Sequence, residues 1–280
     1  MQMDVVFGID VHNFDVHRRK CPMIMWHENI GVVSQIGRGI AQDAVGQPLA
    51  EGDRIVFRAA PCGRCYDCTV GLSCHVTPHY GMLPADTAPY LTGGFSQYLY
   101  LEPNPWVLKI PEEMSTERAL MAVIGNHTVL LGLEKVDGIH LSDTVVVQGA
   151  GPMGMGALVQ TKVMGAKKVI VIGAPSNRLE LAKEMGADEV VALDDYPTPQ
   201  ARIDRIKELT GGIGADVVVE VSGANTAVQE GLEMVRKGGK YLVIGQATDS
   251  GLQNINTYLI TSKAVRMEGA MASTAPLGYI

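Results

Sequence analysis

The chain has 280 residues, of which 30 are acidic and 23 are basic, so its formal net charge is −7. Hydrophobic residues make up 46% and charged residues 19%, a composition that predicts one or two globular domains and excludes a solvated, disordered chain. Because the balance is acidic and Lys and Arg form no long run, we expect neither nucleic acid nor an anionic membrane as the main partner. The sequence shows neither an apolar stretch approaching the roughly 18 residues of a membrane span nor the basic start of a signal peptide, so a cytoplasmic location is expected.

Up to about residue 111, short segments rich in Val, Ile and Tyr alternate with Gly, Pro and Asp. This pattern predicts an antiparallel β domain with long loops. The predicted strands are Ile30–Ile36, Arg54–Phe57, Phe95–Leu101 and Trp106–Ile110. A linking helix is expected from Ser115, its N-cap, to about Glu134. We place the domain boundary after residue 113, which gives a first domain of 1–113 and a second of 114–280 that includes the linking helix.

Four of the five cysteines lie within thirteen consecutive positions of the β domain. They are Cys62, Cys65, Cys68 and Cys74. In a chain without an export signal this clustering favours a metal site over disulfides, and four thiolates satisfy the tetrahedral preference of zinc without leaving an open position. We therefore predict one structural zinc ion per chain. The alternatives are reduced thiols without a metal and a redox pair.

From Asp143 onward, apolar segments of strand length alternate with amphipathic segments of helix length, which indicates β-α-β units and a parallel sheet. The six predicted strands are Val145–Val147, Lys168–Ile172, Glu189–Leu193, Asp216–Val221, Tyr241–Ile244 and Val265–Gly269. The predicted helices are Met153–Met164, Asn177–Met185, Gln200–Leu209 and Ala224–Val235, with a less clearly helical segment over Asn254–Ser262. The fold class predicted for this half is a doubly wound α/β sheet that binds a nucleotide.

The first of these strands runs directly into the segment Gly149-Ala-Gly151-Pro152-Met153-Gly154. In a G-x-G-x-x-G motif between a strand and a helix, Gly149 allows a tight turn, Gly151 lets the backbone approach a diphosphate, and Gly154 lets helix and strand pack closely. The positive end of the helix that opens at Pro152 and Met153 favours the negative charge of the diphosphate. These residues predict a site for NAD(P); the alternative is a turn without a ligand.

The choice between NAD and NADP usually depends on an acidic residue at the end of the second strand, which binds the ribose hydroxyl groups. The segment Val171–Arg178 has no acidic residue and offers Ser176 and Arg178 instead. Such a pocket suits the 2′-phosphate of NADP, because no carboxylate repels the phosphate and Arg178 can pair with it. The sequence therefore leans towards NADP, with a solvated Arg178 as the alternative.

The order of these motifs resembles the zinc-dependent medium-chain alcohol dehydrogenases over effectively the whole chain. The resemblance rests on the cysteine cluster, the segment Gly93-Gly-Phe95-Ser-Gln-Tyr98, the pair His27-Glu28 and the G-x-G-x-x-G loop. It implies a GroES-like catalytic domain beside a Rossmann domain, and hydride transfer between a small-molecule alcohol or polyol, or its carbonyl, and nicotinamide. It also implies Thr128 as a coenzyme-binding residue and a homodimer or homotetramer formed through the sixth strand, here Val265–Met271.

The sequence departs from this family at the catalytic zinc. Relatives hold that ion with a Cys before Gly-x-Asp, a His in Gly-His-Glu, and a Cys or acid on the linking helix. Phe7 stands at the first position and Ile124 at the third, while a looser alignment puts Asn126 at the third. Ile9 replaces the Ser or Thr that relays the substrate proton, so this hydroxyl step of the relay is missing.

His27, Glu28 and Asp10 keep the positions of catalytic residues, although Trp26 stands before His27 where the family has Gly. One imidazole and one carboxylate do not normally hold zinc, so we predict a degraded catalytic zinc site unless another imidazole completes it. The imidazoles that could do so are His12 and His127.

Three functions follow as hypotheses. The first is an oxidoreductase of the zinc alcohol dehydrogenase family with a degraded catalytic zinc site. The second is a zinc-independent NADPH reductase of enones or carbonyls, and the third is an inactive or truncated homologue that still binds a dinucleotide. Relatives carry further strands at both ends, so the β domain is expected to be incomplete.

Overall fold

A computed structural model describes residues 22–72, 74–77, 80–103, 105–124, 126–246 and 252–271. These residues divide into two compact units, one ending at Ile124 and one running from residue 126 to Met271. Several residues named above, as well as the side chain of Ile124, lie outside the described part of the chain. They are Phe7, Ile9, Asp10 and His12.

A three-stranded antiparallel sheet forms the centre of the first unit. In order, its strands are β1 (Ile30–Val32), β2 (Arg54–Arg58) and β3 (Trp106–Lys109). A short helix, α1 (Tyr66–Thr69), lies in the cysteine segment. The sheet agrees with three of the four predicted strands, although β1 ends four residues earlier than expected.

Both faces of this small sheet are apolar, because successive side chains of β2 point to opposite sides. Val56 packs on one face in a cluster with Ile30. Ile55 and Phe57 pack on the other face with Tyr80, whose ring meets that of Phe57 edge-on at a centroid distance of 5.7 Å. The β domain therefore has two small cores on either side of one sheet.

The predicted strand Phe95–Leu101 is wrong, because this segment forms bends and pairs with no strand. The Phe95 amide donates to the distant carbonyl of Met25 at 3.1 Å, but the polar groups of Ser96 bond locally. The Ser96 hydroxyl lies 2.8 Å from the carbonyl of Gly93 and 2.7 Å from that of Tyr98, and the Ser96 amide donates to the carbonyl of Gly94. These short-range bonds curl the backbone and leave the segment without the extended form that a strand needs.

The predicted helix start at Ser115 is present, with its hydroxyl accepting a hydrogen bond from the amide of Arg118 at 3.3 Å. The described residues on either side of residue 125 are helical, in α2 (Thr116–Ile124) and α3 (Asn126–Lys135), and they cover the range of the linking helix predicted over 115–134.

Helix α2 belongs to the first unit by its packing. Its residues Ala119 and Leu120 are buried in the cluster formed with Ile30 and Val56. The predicted domain boundary after residue 113 places this helix in the second domain, and that boundary stays a prediction.

A six-stranded parallel sheet forms the second unit, in the order β6-β5-β4-β7-β8-β9. Its strands are β4 (Thr144–Gln148), β5 (Lys168–Gly173), β6 (Glu189–Ala192), β7 (Ala215–Glu220), β8 (Val235–Val243) and β9 (Arg266–Gly269). The order reverses between β4 and β7, which is the topology of the doubly wound nucleotide-binding fold. The predicted fold class is confirmed.

Helices cover both faces of this sheet. They are α3, α4 (Pro152–Val163), α5 (Ser176–Glu184), α6 (Pro199–Leu209), α7 (Ala227–Met234) and α8 (Tyr258–Lys263). Alternate valines of each central strand enter two different cores, so that Val145 and Val147 lie in one and Val146 in the other. Within the described residues, no helix is both long enough and apolar enough to cross a membrane.

One buried ion pair joins two helices on the same face of the sheet. The guanidinium of Arg202 in α6 makes two parallel bonds to the carboxylate of Glu230 in α7, Nε to Oε2 at 2.8 Å and Nη2 to Oε1 at 2.7 Å. The side chains are only 10% and 4% exposed. A third bond runs from Nη1 of Arg202 to the carbonyl of Tyr196 at 3.0 Å, which fixes the start of α6.

We predict that Glu230→Gln lowers the free energy of unfolding by about 3 to 5 kcal/mol, because it leaves a buried guanidinium without its counter-charge. The matched control is Glu208→Gln, which breaks the 2.7 Å pair between Arg205 and a 71% exposed Glu208 and should cost less than about 0.5 kcal/mol. Urea denaturation of both variants measures the difference. Equal losses would show that burial of the first pair has no energetic consequence.

Candidate functional site

The glycine loop between β4 and α4 has the backbone of an anion site. Gly149 has a φ of 125°, which a residue with a side chain rarely adopts, and its amide donates to the carbonyl of Ile172 at 2.8 Å. Gly151 is the N-cap of α4, with Pro152 at the first helical position and no side chain capping the helix. The first amides of α4 are therefore left for a ligand, and the helix dipole favours a negative one.

The three glycines of this loop differ in what a side chain would meet. A Cβ on Gly154 would lie 1.9 Å from the carbonyl oxygen of Gly149, so the helix can approach the turn only without a side chain there. A Cβ on Gly151 would meet nothing within 4 Å. The open side at Gly151 is where a diphosphate could contact the backbone, so the loop fits the coenzyme that its motif predicts.

The end of β5 lies against this loop. A Cβ on Gly173 would fall 2.5 Å from the Cβ of Ala150, so this position has no room for a side chain as the backbone stands. Ser176 and Arg178 follow in the first turn of α5, and both side chains are exposed. The segment from residue 174 to residue 178, directly after β5, thus supplies a hydroxyl and a cation and contains no carboxylate.

Thr128 lies half-buried in α3, the helix that packs against the glycine-loop helix α4. The two helices are joined where Nε2 of Gln160 donates to the carbonyl of Asn126 at 2.5 Å and to its Oδ1 at 3.0 Å. His127, named above as a possible zinc ligand, is buried in the same helix with 8% of its surface exposed. It belongs to the second unit, whereas His27 belongs to the first.

A cavity of about 570 Å³ opens in the second unit beside segments that follow β6 and β7. Thr198 and Gln200 line it from the start of α6, and Asn225 and Gln229 line it from the start of α7. Ligands of doubly wound sheets bind outside the carboxyl ends of the strands, so this cavity lies on the ligand-binding side of the sheet.

The four clustered cysteines converge as a metal site would require. Their Sγ atoms all lie within 4.8 Å of one another. The separations are 3.4 Å for Cys65–Cys68, 3.8 Å for Cys65–Cys74 and 3.9 Å for Cys62–Cys68. Four thiolates about 2.3 Å from a tetrahedral zinc ion would be separated by about 3.8 Å, so this donor set fits zinc.

The surroundings of the four thiols shift the pKa values of two of them in opposite directions. Burial works against the charged form of Cys74, but hydrogen bonds from the amide of Cys62 and from Thr77 outweigh it and lower the pKa of Cys74 to about 5. Burial and the neighbouring Cys65 raise the pKa of Cys68 to about 12. Because zinc binds thiolates, a cation held by all four sulfurs would displace the proton of Cys68, the thiol with the raised pKa. The affinity for the cation would therefore rise with pH.

His27 and Glu28 lie side by side in the first unit, with His27 Nε2 and Glu28 Oε1 3.8 Å apart and both side chains about one-quarter exposed. Trp26 before them has a φ of 93°, a conformation that glycine adopts readily and a bulky residue rarely does. Its ring is buried and stacks on Phe95 at a centroid distance of 5.1 Å. The backbone therefore keeps a glycine-like shape where the family has Gly.

Sequence reasoning missed one buried residue at the edge of the coenzyme loop. Glu220 ends β7 directly beside the end of β4 and has no exposed surface. An acidic residue closing a valine-rich strand, followed by Ser222-Gly223, was the available signal. A buried acid needs hydrogen-bond donors, and the turn that follows supplies them.

Comparison with known proteins gives matches to both halves of the chain. The family model "Alcohol dehydrogenase GroES-like domain" matches residues 3–112, and "Zinc-binding dehydrogenase" matches residues 152–277. The chain is 31% identical to 5-exo-hydroxycamphor dehydrogenase of Pseudomonas putida over 95% of this chain and 73% of that protein. It is 32% identical to L-threonine 3-dehydrogenase of Bacillus subtilis over 85% of this chain and 65% of that protein.

Among solved structures, an alcohol dehydrogenase of Thermotoga maritima superposes with a TM-score of 0.87 at 32% identity, covering 98% of this chain and 76% of that one. The chain thus spans roughly two thirds to three quarters of the length of these relatives. Together the matches show that the chain is an oxidoreductase of the zinc-containing medium-chain alcohol dehydrogenase family, with a GroES-like and a Rossmann half.

Proposed function

We propose that the chain transfers a hydride between an alcohol or polyol, or the corresponding carbonyl compound, and a nicotinamide dinucleotide held by the Gly149–Gly154 loop. The observation that carries this proposal is the loop itself, with a positive φ at Gly149, open space at Gly151 and an uncapped helix start. Relatives named for 5-exo-hydroxycamphor and L-threonine support an alcohol group as the reacting centre.

The bound coenzyme supplies the hydride chemistry, and this chain supplies binding and orientation. We assign the diphosphate to the free amides at the start of α4, and Thr128 to the coenzyme site on the neighbouring helix. Ser176 and Arg178 are assigned to the adenosine ribose. Because these two residues offer a hydroxyl and a cation without a carboxylate, they support NADP over NAD.

We assign the remaining catalytic position to His27 and Glu28, together with Asp10 on the sequence alone. Nε2 of His27 lies 3.8 Å from Oε1 of Glu28, so an imidazole and a carboxylate, both groups that can transfer a proton, lie side by side at this position. With Phe7 and Ile124 at two family ligand positions, this set supports a degraded catalytic zinc site and keeps zinc-independent reduction of enones or carbonyls as the second candidate.

The metal assignment is one structural zinc ion held by Cys62, Cys65, Cys68 and Cys74, supported by the spacing of their sulfur atoms. A homodimer or homotetramer formed through β9 is supported by the position of that strand at the edge of the sheet. A cytoplasmic location remains a prediction from the sequence.

We predict that Gly151→Val raises the Kd for NADPH and NADH by at least about tenfold, since its side chain would enter the open space assigned to the diphosphate. Because nothing lies within 4 Å of that Cβ, the free energy of unfolding should change by no more than about 1 kcal/mol. Fluorescence titration and urea denaturation measure the two effects. Gly37→Val, in an exposed loop of the first unit, is the control; an unchanged Kd in Gly151→Val would place the coenzyme elsewhere.

The coenzyme preference depends on Arg178. Arg178→Leu should weaken NADPH binding by at least about tenfold and leave NADH binding within about twofold, because a charge-assisted bond to the 2′-phosphate contributes roughly 1.5 to 3 kcal/mol. Lys183→Leu, in the last turn of the same helix, controls for the loss of one positive charge. Equal weakening of both coenzymes, or of neither, would remove Arg178 from the phosphate site.

Zinc content tests the cysteine cluster. Cys65→Ser should reduce bound zinc from about one ion per chain to near zero and lower the thermal midpoint, because the folding energy contributed by the metal is lost. Tyr66→Phe, next to Cys65 and 74% exposed, should change neither. Elemental analysis gives the stoichiometry: retained zinc in Cys65→Ser would contradict the assignment, and two ions in the unaltered chain would contradict a degraded catalytic site.

A further inference from the structure

The turn that leaves β7 is the middle layer of a stack of three backbone turns. A Cβ on Gly149, in the turn after β4, would lie 3.1 Å from the amide nitrogen of Ser222. A Cβ on Gly245, in the turn after β8, would lie 2.4 Å from the amide nitrogen of Gly223 and 2.7 Å from that of Ser222. The segment Ser222–Gly223 is therefore held between the glycine loop and the turn after β8, with no side chain separating the three backbones.

Glu220 fixes the position of this middle layer. Its Oε1 accepts hydrogen bonds from the Ser222 amide at 2.8 Å, the Ser222 hydroxyl at 2.8 Å and the Gly223 amide at 2.7 Å. Its backbone carbonyl accepts from the amides of Ile244 at 2.9 Å and Gly245 at 3.0 Å. One residue thus binds its own turn through the side chain and the next turn through the main chain.

Burial of the Glu220 side chain is energetically unfavourable. Glu220 has no exposed surface, follows the buried valines of β7, and its Oε2 has no hydrogen-bond partner among the described residues. Burial of a carboxylate with one oxygen unpaired is unfavourable. The other oxygen offsets part of this penalty by accepting three hydrogen bonds, and because all three come from one turn, they specify a position for that turn.

We infer that Glu220 is a positioning residue for the coenzyme: its carboxylate sets the Ser222–Gly223 turn, against which the Gly149 backbone of the coenzyme loop rests. The inference rests on the proposed coenzyme site at Gly149–Gly154. The site lies where the strand order reverses between β4 and β7, the position at which doubly wound sheets bind dinucleotides. A shift of the turn would move the loop that holds the diphosphate.

The test measures the Kd for NADPH and NADH by fluorescence titration of the full chain, for Glu220→Leu, Glu220→Gln and Ser222→Ala. We expect a rise of at least about tenfold for Glu220→Leu and a smaller rise of about threefold for Glu220→Gln, because an amide oxygen still accepts from the turn but without charge assistance. Ser222→Ala, which removes one of the three bonds, should also give about threefold. If Glu220→Leu does not fold, the other two variants decide the question.

Thr210→Val is the control for a general loosening of the core. Its half-buried hydroxyl donates to the carbonyl of Ile206 at 2.7 Å and accepts from the amide of Gly214 at 3.1 Å, so it bonds the segment before β7 and not the turn after it. It should lower the denaturation midpoint and leave Kd unchanged. The inference is overturned if Glu220→Gln and Ser222→Ala bind as the unaltered chain does, or if Thr210→Val weakens binding as much as they do. Failure of the unaltered chain to bind either coenzyme would instead reject the proposed function.

Discussion

Direct contact between backbones at the carboxyl edge of the parallel sheet is the constraint on which the coenzyme half depends. The turns after β4, β7 and β8 approach one another so closely that Gly149, Gly154 and Gly245 have no room for a Cβ without displacement of a neighbour. Because the approach excludes side chains, the three turns pack through their main chains. This packing restricts the conformations open to the loop proposed for the diphosphate, which favours a preorganised anion site.

The coenzyme half could be predicted because its signals are local and mutually consistent. Runs of Val and Ile identify strands buried on both faces, and the glycine motif follows the first of them. The boundaries were less accurate at β8, which begins at Val235 and not at Tyr241. An irregular register between Ala215 and Val217 on the neighbouring strand accompanies this extension, and a sequence pattern of alternating residues does not reveal it.

The β half was harder to predict, because aromatic residues alternate in the same way in a strand and in a curled loop. Phe95–Leu101 has the composition of a strand, but the hydroxyl of Ser96 bonds to its neighbours and the chain bends. The role of Glu220 was equally hidden, since its donors come from a turn whose conformation depends on glycines in two other turns. The positive φ of Trp26 has no signal in the local sequence either, and only the resemblance to a family with Gly at this position points to it.

The two halves organise chemistry in different ways. In the first unit, the cysteine cluster gathers four sulfur atoms on one segment, so that a cation could order a region with few buried apolar residues. In the second unit, a large apolar core holds the backbone, and the proposed coenzyme site is made of main-chain groups at its edge. The proposed zinc and coenzyme sites therefore draw on separate sources of stability.

The central claim is that the edge of the sheet at Gly149–Gly154 binds a nicotinamide dinucleotide. Isothermal titration of the zinc-loaded chain with NADPH and NADH tests it most directly. The account predicts saturable binding of one molecule per chain with NADPH favoured, and a heat-capacity decrease consistent with burial of apolar surface. Absence of saturable heat with either coenzyme at millimolar concentration would contradict the account.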